Sequence, residues 1–239
     1  MLPCLVLGGG LGSRLGTETE TIPKPLVSVA GTPFVVRQLR WLAGQGVHDV
    51  VYSIGHLGHL IRAELAGRED LGCSVRFVDE GERRLGTAGA VRLAVDEGAV
   101  AGAFFVLYGD SHLEIDLRSV ADAFAQADDE ALMTVFANAG AWDRSNVVLE
   151  GDRVVRYDKT EDDPAGAGMH HIDYGLSILR SRTVLEQVPP GQPADLADLF
   201  ADLSAAGHLV GFEARNRFYE IGSPEGLAAL RHHLEVEAR

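Results

Sequence analysis

Lysine is almost missing from this sequence. Of its 21 basic side chains only Lys24 and Lys159 are lysine. A chain that uses arginine wherever a generic cation suffices keeps lysine for places that need a compact, mobile point charge instead of a planar fork. Cysteine is as scarce, with Cys4 inside an apolar run and Cys73 far from it. Two such thiols exclude a disulfide framework or a cysteine-rich zinc site and suit a reducing cytoplasm. Surplus positive charge is absent as well. A formal net charge of −14 argues against nucleic acid or an anionic membrane as a partner held by bulk charge. No apolar run approaches the roughly 20 residues that cross a bilayer. The first seven residues lack the basic n-region of a signal peptide.

What is present is the material of a globular core. Hydrophobic residues make up 46% of 239, and charged residues 23%, which suits one α/β domain over residues 1–239. A continuous apolar run at Leu2–Leu7 ends in Gly8-Gly9-Gly10 and reads as a buried parallel strand feeding a loop. Further strands are expected at Val47–Ile54, Val75–Val78, Ala103–Tyr108 and Leu132–Ala137. Helices are expected at Phe34–Leu42, Leu57–Leu65, Ala88–Val95 and Leu117–Ala127. Such alternation predicts a mainly parallel sheet with helices on both faces.

The second half is richer in β signals. Asn146–Leu149 and Arg153–Tyr157 flank a hairpin turn at Glu150-Gly151-Asp152, and Asp162–Gly168 reads as a mobile loop. Strands at Ile172–Leu179 and Leu209–Glu213 bracket a helix at Asp195–Ala205. A closing helix at Ser223–Glu237 has Ser223 as N-cap and Pro224 at its first position. A small β-rich lobe would thus wall one side of a cleft at the carboxyl ends of the strands. Trp41 and Trp142 read as packing residues, and His232-His233 as a solvated helix face. His170-His171, adjacent on a strand, point to opposite faces and cannot share a metal.

The loop Gly8-Gly9-Gly10-Leu11-Gly12-Ser13-Arg14-Leu15 lets backbone approach a polyphosphate and offers N–H groups as an anion nest. A dinucleotide-binding turn needs G-x-G-x-x-G, and neither glycine register supplies it, which disfavours a NAD-dependent oxidoreductase. Pro23-Lys24-Pro25-Leu26 follows ten residues after Arg14, with a proline on each side of the lysine.

These two segments resemble the signature of the sugar-phosphate nucleotidyltransferases (NDP-sugar pyrophosphorylases), G-G-x-G-[TS]-R-L followed by P-K-P. The match departs at Gly8, where alanine is commoner, a change expected to be harmless. The resemblance implies a Rossmann-like fold with a nucleotide site built from Leu7, Gly8, Gly9, Gly10, Gly12, Ser13, Arg14 and Lys24, with Arg14 and Lys24 gripping the triphosphate. Leu85-Gly86-Thr87-Ala88-Gly89-Ala90 resembles the family's L-G-T-A-G element, so Gly86, Thr87 and Ala88 join that site, with Glu80 or Glu82 just upstream where the family often places a base reader. By itself this segment reads equally as an ordinary helix start capped by Thr87.

Gly109-Asp110 at a strand end resembles the family's metal-binding G-D. Tyr219-Glu220-Ile221-Gly222 resembles D-I-G-T-P, with Glu220 in place of the second metal-binding aspartate. The cofactor so implied is Mg²⁺ on Asp110 and Glu220. Asp158-Lys159 resembles the E-K pair that meets the sugar phosphate, and Asp173-Tyr174-Gly175 stands where N-x-G is common. Gly109, Asn146, Asp158, Lys159, Asp173 and Gly175 would therefore receive the sugar phosphate. Asp158, Asp173 and the Arg144-Ser145-Asn146-Val147 segment depart from the usual pattern, all in this presumed sugar pocket. Arg14, Lys24 and Lys159 are the implied catalytic cations, and an NTP and a sugar 1-phosphate the implied partners.

Short length makes the chain similar to compact heptose- or mannose-phosphate guanylyltransferases, with muramyl-phosphate uridylyltransferases also of this size. The lean is to GTP and a manno-configured sugar or heptose. A cytidylyltransferase or guanylyltransferase working on a non-sugar phosphate or phosphonate, or a non-catalytic nucleotide-sensing subunit, are the other readings.

Overall fold

A computed structural model describes residues 1–10 and 22–237. Thirteen strands and seven helices occur among them. Nine of the strands form one twisted sheet in the order β5-β4-β1-β6-β11-β8-β12-β10-β9. Its first four members, β5 (Ser74–Asp79), β4 (Asp49–Ile54), β1 (Cys4–Leu7) and β6 (Ala103–Tyr108), are all parallel. Beyond β6 the sheet is mixed. β11 (His171–Arg180) runs antiparallel to both β6 and β8 (Ala131–Ala137), while β12 (Leu209–Ala214) is parallel to β8. The expected hairpin β9 (Val147–Glu150) and β10 (Arg153–Tyr157) extends this same sheet through β12, and β9 touches β11 at the pair His171 and Val147. The β-rich lobe is therefore the far edge of one sheet.

Period-two alternation divides the strands between two cores. Cys4 and Val6 of β1, with Phe105 and Leu107 of β6, meet helices α1 (Phe34–Gly44), α2 (Gly58–Leu65) and α4 (Leu117–Ala127). Leu5, Phe104 and Val106 meet α3 (Gly86–Asp96), α5 (Ser181–Gln187) and α6 (Leu196–Ala205) on the other face. A third cluster joins α7 (Pro224–Glu237) to the small hairpin β2 (Ser28–Val29) and β3 (Thr32–Pro33) through Val27, Val29, Phe34, Ile221, Leu227 and Leu230. At the start of α7, Gly226 N–H donates to Ser223 Oγ at 3.0 Å, the expected N-cap.

Two short strands matter more than their length suggests. β7 (Ser111–His112) follows β6 directly and pairs antiparallel with β13 (Tyr219–Glu220), setting Glu220 opposite Ser111 and Tyr219 opposite His112. The ribbon continues where Ile221 N–H donates to Asp110 O at 2.9 Å.

Candidate active site

The carboxyl ends of β1, β4, β5 and β6 open into a cleft of about 990 Å³. Its floor is Leu7, Gly8, Gly9 and Gly10 after β1, and Tyr108, Gly109 and Asp110 after β6. Glu80 and the start of α3, Gly86 and Thr87, form one wall. Glycines are needed here for close approach. Gly109 N–H donates to Leu7 O at 3.0 Å, and a Cβ on Gly109 would stand 2.6 Å from that same oxygen. Gly8 lies against the Tyr52 ring, where a Cβ would meet Cζ at 2.9 Å and Cε1 closer still. Glycine at this position is thus the partner of a buried tyrosine, and alanine would not have been equivalent.

Lys24 begins a 3₁₀ turn, Lys24–Leu26, closed by Val27 N–H to Lys24 O at 3.0 Å and anchored by the buried Pro25. The turn aims Lys24 Nζ at Asp110 Oδ2, 2.9 Å away, with the two side chains 14% and 28% exposed. Glu220 comes to the same point. Its carboxylate accepts from Gly222 N–H and from Ser223 Oγ–H, the latter at 2.6 Å. A Cβ on Gly222 would touch all three groups, lying 3.2 Å from Asp110 Oδ2, 3.3 Å from Lys24 Nζ and closer still to Glu220 Oε2. One cation and two carboxylates share a space that only glycine leaves open.

The expected sugar-side residues gather beyond Tyr108. Lys159 Nζ lies 5.7 Å from the ring centroids of both Tyr108 and Tyr157. Tyr157 O–H donates to Asp173 Oδ2 at 3.3 Å, and Asp173 N–H donates to Asn146 Oδ1 at 3.0 Å. Burial lifts the Asp173 carboxyl above its ordinary range, and the Lys159 ammonium pulls it back. Burial, then the carboxylates of Asp173, Asp195 and Asp110, raise the Tyr108 phenol well above its ordinary value. Tyr108 therefore stands between the two groups of site residues. Gly175, at φ +96°, is part of a bulge in β11 between Asp173 and Ser177; a Cβ on it would come within 2.7 Å of Ser111 Oγ. Bulges of this kind re-aim side chains beside active sites.

Some expected residues are placed differently. Gly12, Ser13 and Arg14 lie outside the described residues. Asp158 turns its carboxylate to Thr160 N–H at 2.8 Å, Thr160 Oγ–H at 2.7 Å and Arg156 at 3.2 Å. Ala88 is buried and donates its N–H to Ala194 O, 3.0 Å away. Thr87 does not cap its own helix. Its Oγ accepts from Leu196 N–H at 2.7 Å and donates to Asp195 Oδ1 at 3.0 Å, fixing the start of α6. Glu80 holds Ser53 Oγ–H at 3.3 Å and Leu85 N–H at 3.4 Å, and burial raises its carboxyl above the ordinary value. Glu82 is exposed on the cleft rim.

Trp142, expected to pack inside, is 56% exposed because it occupies the turn after β8, and Arg217 lies 3.9 Å over its ring. His233, expected on a solvated face, instead stacks on Tyr219 at 4.3 Å. One positioning residue escaped the sequence reading. Gln38, buried among the apolar residues of α1, donates from Nε2 to Tyr108 O at 3.0 Å and to Ser111 O at 3.1 Å, pinning both ends of the turn that carries Asp110. A lone amide in the apolar stripe of α1 was the available signal.

Mannose-1-phosphate guanyltransferase of Aspergillus fumigatus is 27% identical over 226 residues, 94% of this chain and 62% of that protein. The Candida albicans protein of the same name is 28% identical over 224 residues, 92% of this chain and 61% of that protein. This chain thus spans less than two thirds of the length of those relatives. Among solved structures, HddC from Yersinia pseudotuberculosis superposes with a TM-score of 0.81 at 24% identity, covering 98% of this chain and all of that one. A UDP-glucose pyrophosphorylase complexed with UDP-glucose gives a TM-score of 0.80 at 15% identity, over 99% of this chain and 100% of that one. Both share the fold. Residues 4–232 match the profile of the MobA-like NTP transferase domain, and the chain belongs to that family.

Proposed function

We propose that this protein transfers a nucleoside monophosphate from an NTP to a sugar 1-phosphate, releasing pyrophosphate, with GTP and a manno-configured sugar or heptose as substrates. The observation that carries the proposal is the meeting of Lys24, Asp110 and Glu220 around Gly222, at the edge of a glycine-floored cleft. The names of the mannose-1-phosphate guanyltransferases it resembles support the choice of base and sugar.

In the proposed reaction a phosphate oxygen of the sugar 1-phosphate forms a bond to the α-phosphorus. The bond from that phosphorus to the bridging oxygen breaks, and its electron pair leaves with pyrophosphate. The nucleophile is already an anion, so no side chain has to be deprotonated. Positioning and charge neutralisation therefore carry the catalysis. Gly8, Gly9 and Gly10 give the triphosphate room against the backbone, and Arg14 and Lys24 offset the charge that builds on pyrophosphate. Lys159 holds the sugar phosphate and offsets its repulsion from the nucleotide. Gly86 and Thr87 bound the nucleoside end of the cleft, with Glu80 behind them. Asn146 and Gly175 shape the pocket in which Asp173 meets sugar hydroxyls.

Asp110, in the turn before β7, and Glu220, on β13, offer hard carboxylate oxygens, the donor type Mg²⁺ selects. Mg²⁺ held there would supply positive charge to the phosphate oxygens. A cytoplasmic setting, where NTPs are made, is part of the same proposal. Crossing four NTPs with a panel of sugar 1-phosphates and non-sugar phosphates, scored by pyrophosphate release, tests it. Turnover confined to GTP with mannose- or heptose-type 1-phosphates is expected. Turnover only with a non-sugar acceptor, or nucleotide binding without pyrophosphate release, would overturn it.

A further inference from the structure

The ribbon of β7 and β13 has a second face. Glu220, the cross-strand partner of Ser111, turns its carboxylate to the place where Lys24 and Asp110 meet, and strand alternation turns the other pair, His112 and Tyr219, to the opposite side. Glu114, two residues beyond His112, comes to that same side, and α7 lays His233 over it. The donor atoms of His112, Glu114 and His233 all lie within 4.8 Å of one another, and each residue is half-buried. Glu114 Oε1 is shielded from solvent and faces His233 Nε2, its ion-pair partner, at 2.5 Å. The two imidazole rings stand 6.3 Å apart, edge to face.

We propose that His112, Glu114 and His233 form a zinc site that staples α7 to the back of the β7–β13 ribbon. Two imidazoles and one carboxylate are a borderline donor set that favours Zn²⁺ and its first-row neighbours over Mg²⁺, which takes oxygen ligands. Three protein donors leave the fourth tetrahedral position to water. Bonds of 2.0–2.1 Å put tetrahedral donors about 3.4 Å apart. The present donors need only small side-chain rotations to reach that shell, with the contact between His233 and Glu114 opening. The ring of His233 is already oriented by its stack on Tyr219, 18° from parallel, and Glu114 N–H is fixed by Tyr174 Oη at 3.3 Å. Partners of this kind orient ligands before the metal arrives. The site lies outside the cleft and needs no transferase activity to exist.

The test uses the full chain without an affinity tag, stripped with chelator and titrated with ZnCl₂. After gel filtration, elemental analysis should find one zinc per chain. Melting temperature should rise by about 5–10 °C at free zinc a hundredfold above its dissociation constant. Cobalt(II) should give the intense visible bands of a four-coordinate ion. His112→Ala, Glu114→Gln and His233→Ala should each abolish retention and the thermal shift, while Asp110→Asn keeps both. Wild-type protein that retains no zinc overturns the proposal, as does a His112→Ala/His233→Ala variant that retains as much as wild type. Should a variant fail to fold, the wild-type stoichiometry and cobalt spectrum still decide.

Discussion

Gly8 shows how one missing methyl group couples two strands. The Tyr52 ring on β4 fills the volume that a Cβ on Gly8 would need, and the ring is fully buried. Gly8→Ala should therefore destabilise the fold by about 1–3 kcal/mol, the usual cost of overpacking a close-packed site. Urea denaturation of Gly8→Ala, Tyr52→Val and the double variant measures the coupling. The double variant should be more stable than the sum of the single losses allows. Glu80 makes a different argument, through its proton. Its folded-state carboxyl is raised by burial, so the folded protein holds that proton more tightly than the unfolded chain. Below the ordinary glutamate value both states are protonated and the effect vanishes. As pH rises through the raised value, ionised Glu80 opposes folding. Glu80→Gln should thus be more stable than wild type at pH 8, and the difference should shrink toward pH 4 in melting curves across that range.

At the scale of elements, the L-G-T-A-G segment is a joint between two helices. Gly86 has φ +70° and leaves no room for a Cβ, which would sit 2.5 Å from Ala194 O. Thr87 then reaches across to begin α6, through Leu196 N–H and Asp195. Thr87→Ala should cost about 1–2 kcal/mol by removing that cap, and faster amide exchange at the first turn of α6 would locate the loss. Thr87→Ser, keeping the hydroxyl, should recover most of it. Elements whose periodicity runs for a full strand or helix, such as β1, β4, β6, α1 and α4, were legible in the sequence because burial follows one face. The ribbon of β7 and β13 was not, since two residues per strand carry no period. The bulge at Tyr174-Gly175-Leu176 was hidden inside an apolar run that reads as one straight strand. Helix α5 follows β11 without a turn residue, Arg180 ending the strand and serving as N-cap, so no punctuation marked its start. Lys24, Asp110 and Glu220 were visible as motif residues. Gln38 and the second face of the ribbon became visible only in three dimensions, because their partners are backbone carbonyls and distant side chains.

Across the whole molecule, the site exists because an acidic chain concentrates opposite charges at one place. Asp110 sits in the turn between β6 and β7 of the first half, and Glu220 arrives from the last fifth of the chain on the only strand that pairs with β7 among the described residues. Two adjoining carboxylates would repel each other and an incoming triphosphate. Lys24, 86 residues from Asp110 and 2.9 Å from it in space, offsets that repulsion. On the proposed chemistry these groups act as a unit on charge that develops only in the transition state. Lys24→Ala and Asp110→Ala should each lower kcat/KM by about 10²–10³, or 3–4 kcal/mol of transition-state stabilisation. The ion pair is partly solvated, so either change should alter folding stability by only about 1 kcal/mol. Because parts of one unit are not additive, the Lys24→Ala/Asp110→Ala variant should be scarcely slower than the worse single variant. Losses that multiply in the double variant would mean that the lysine and the aspartate serve separate steps, and near-normal turnover in Asp110→Ala would remove the acid from the chemistry altogether.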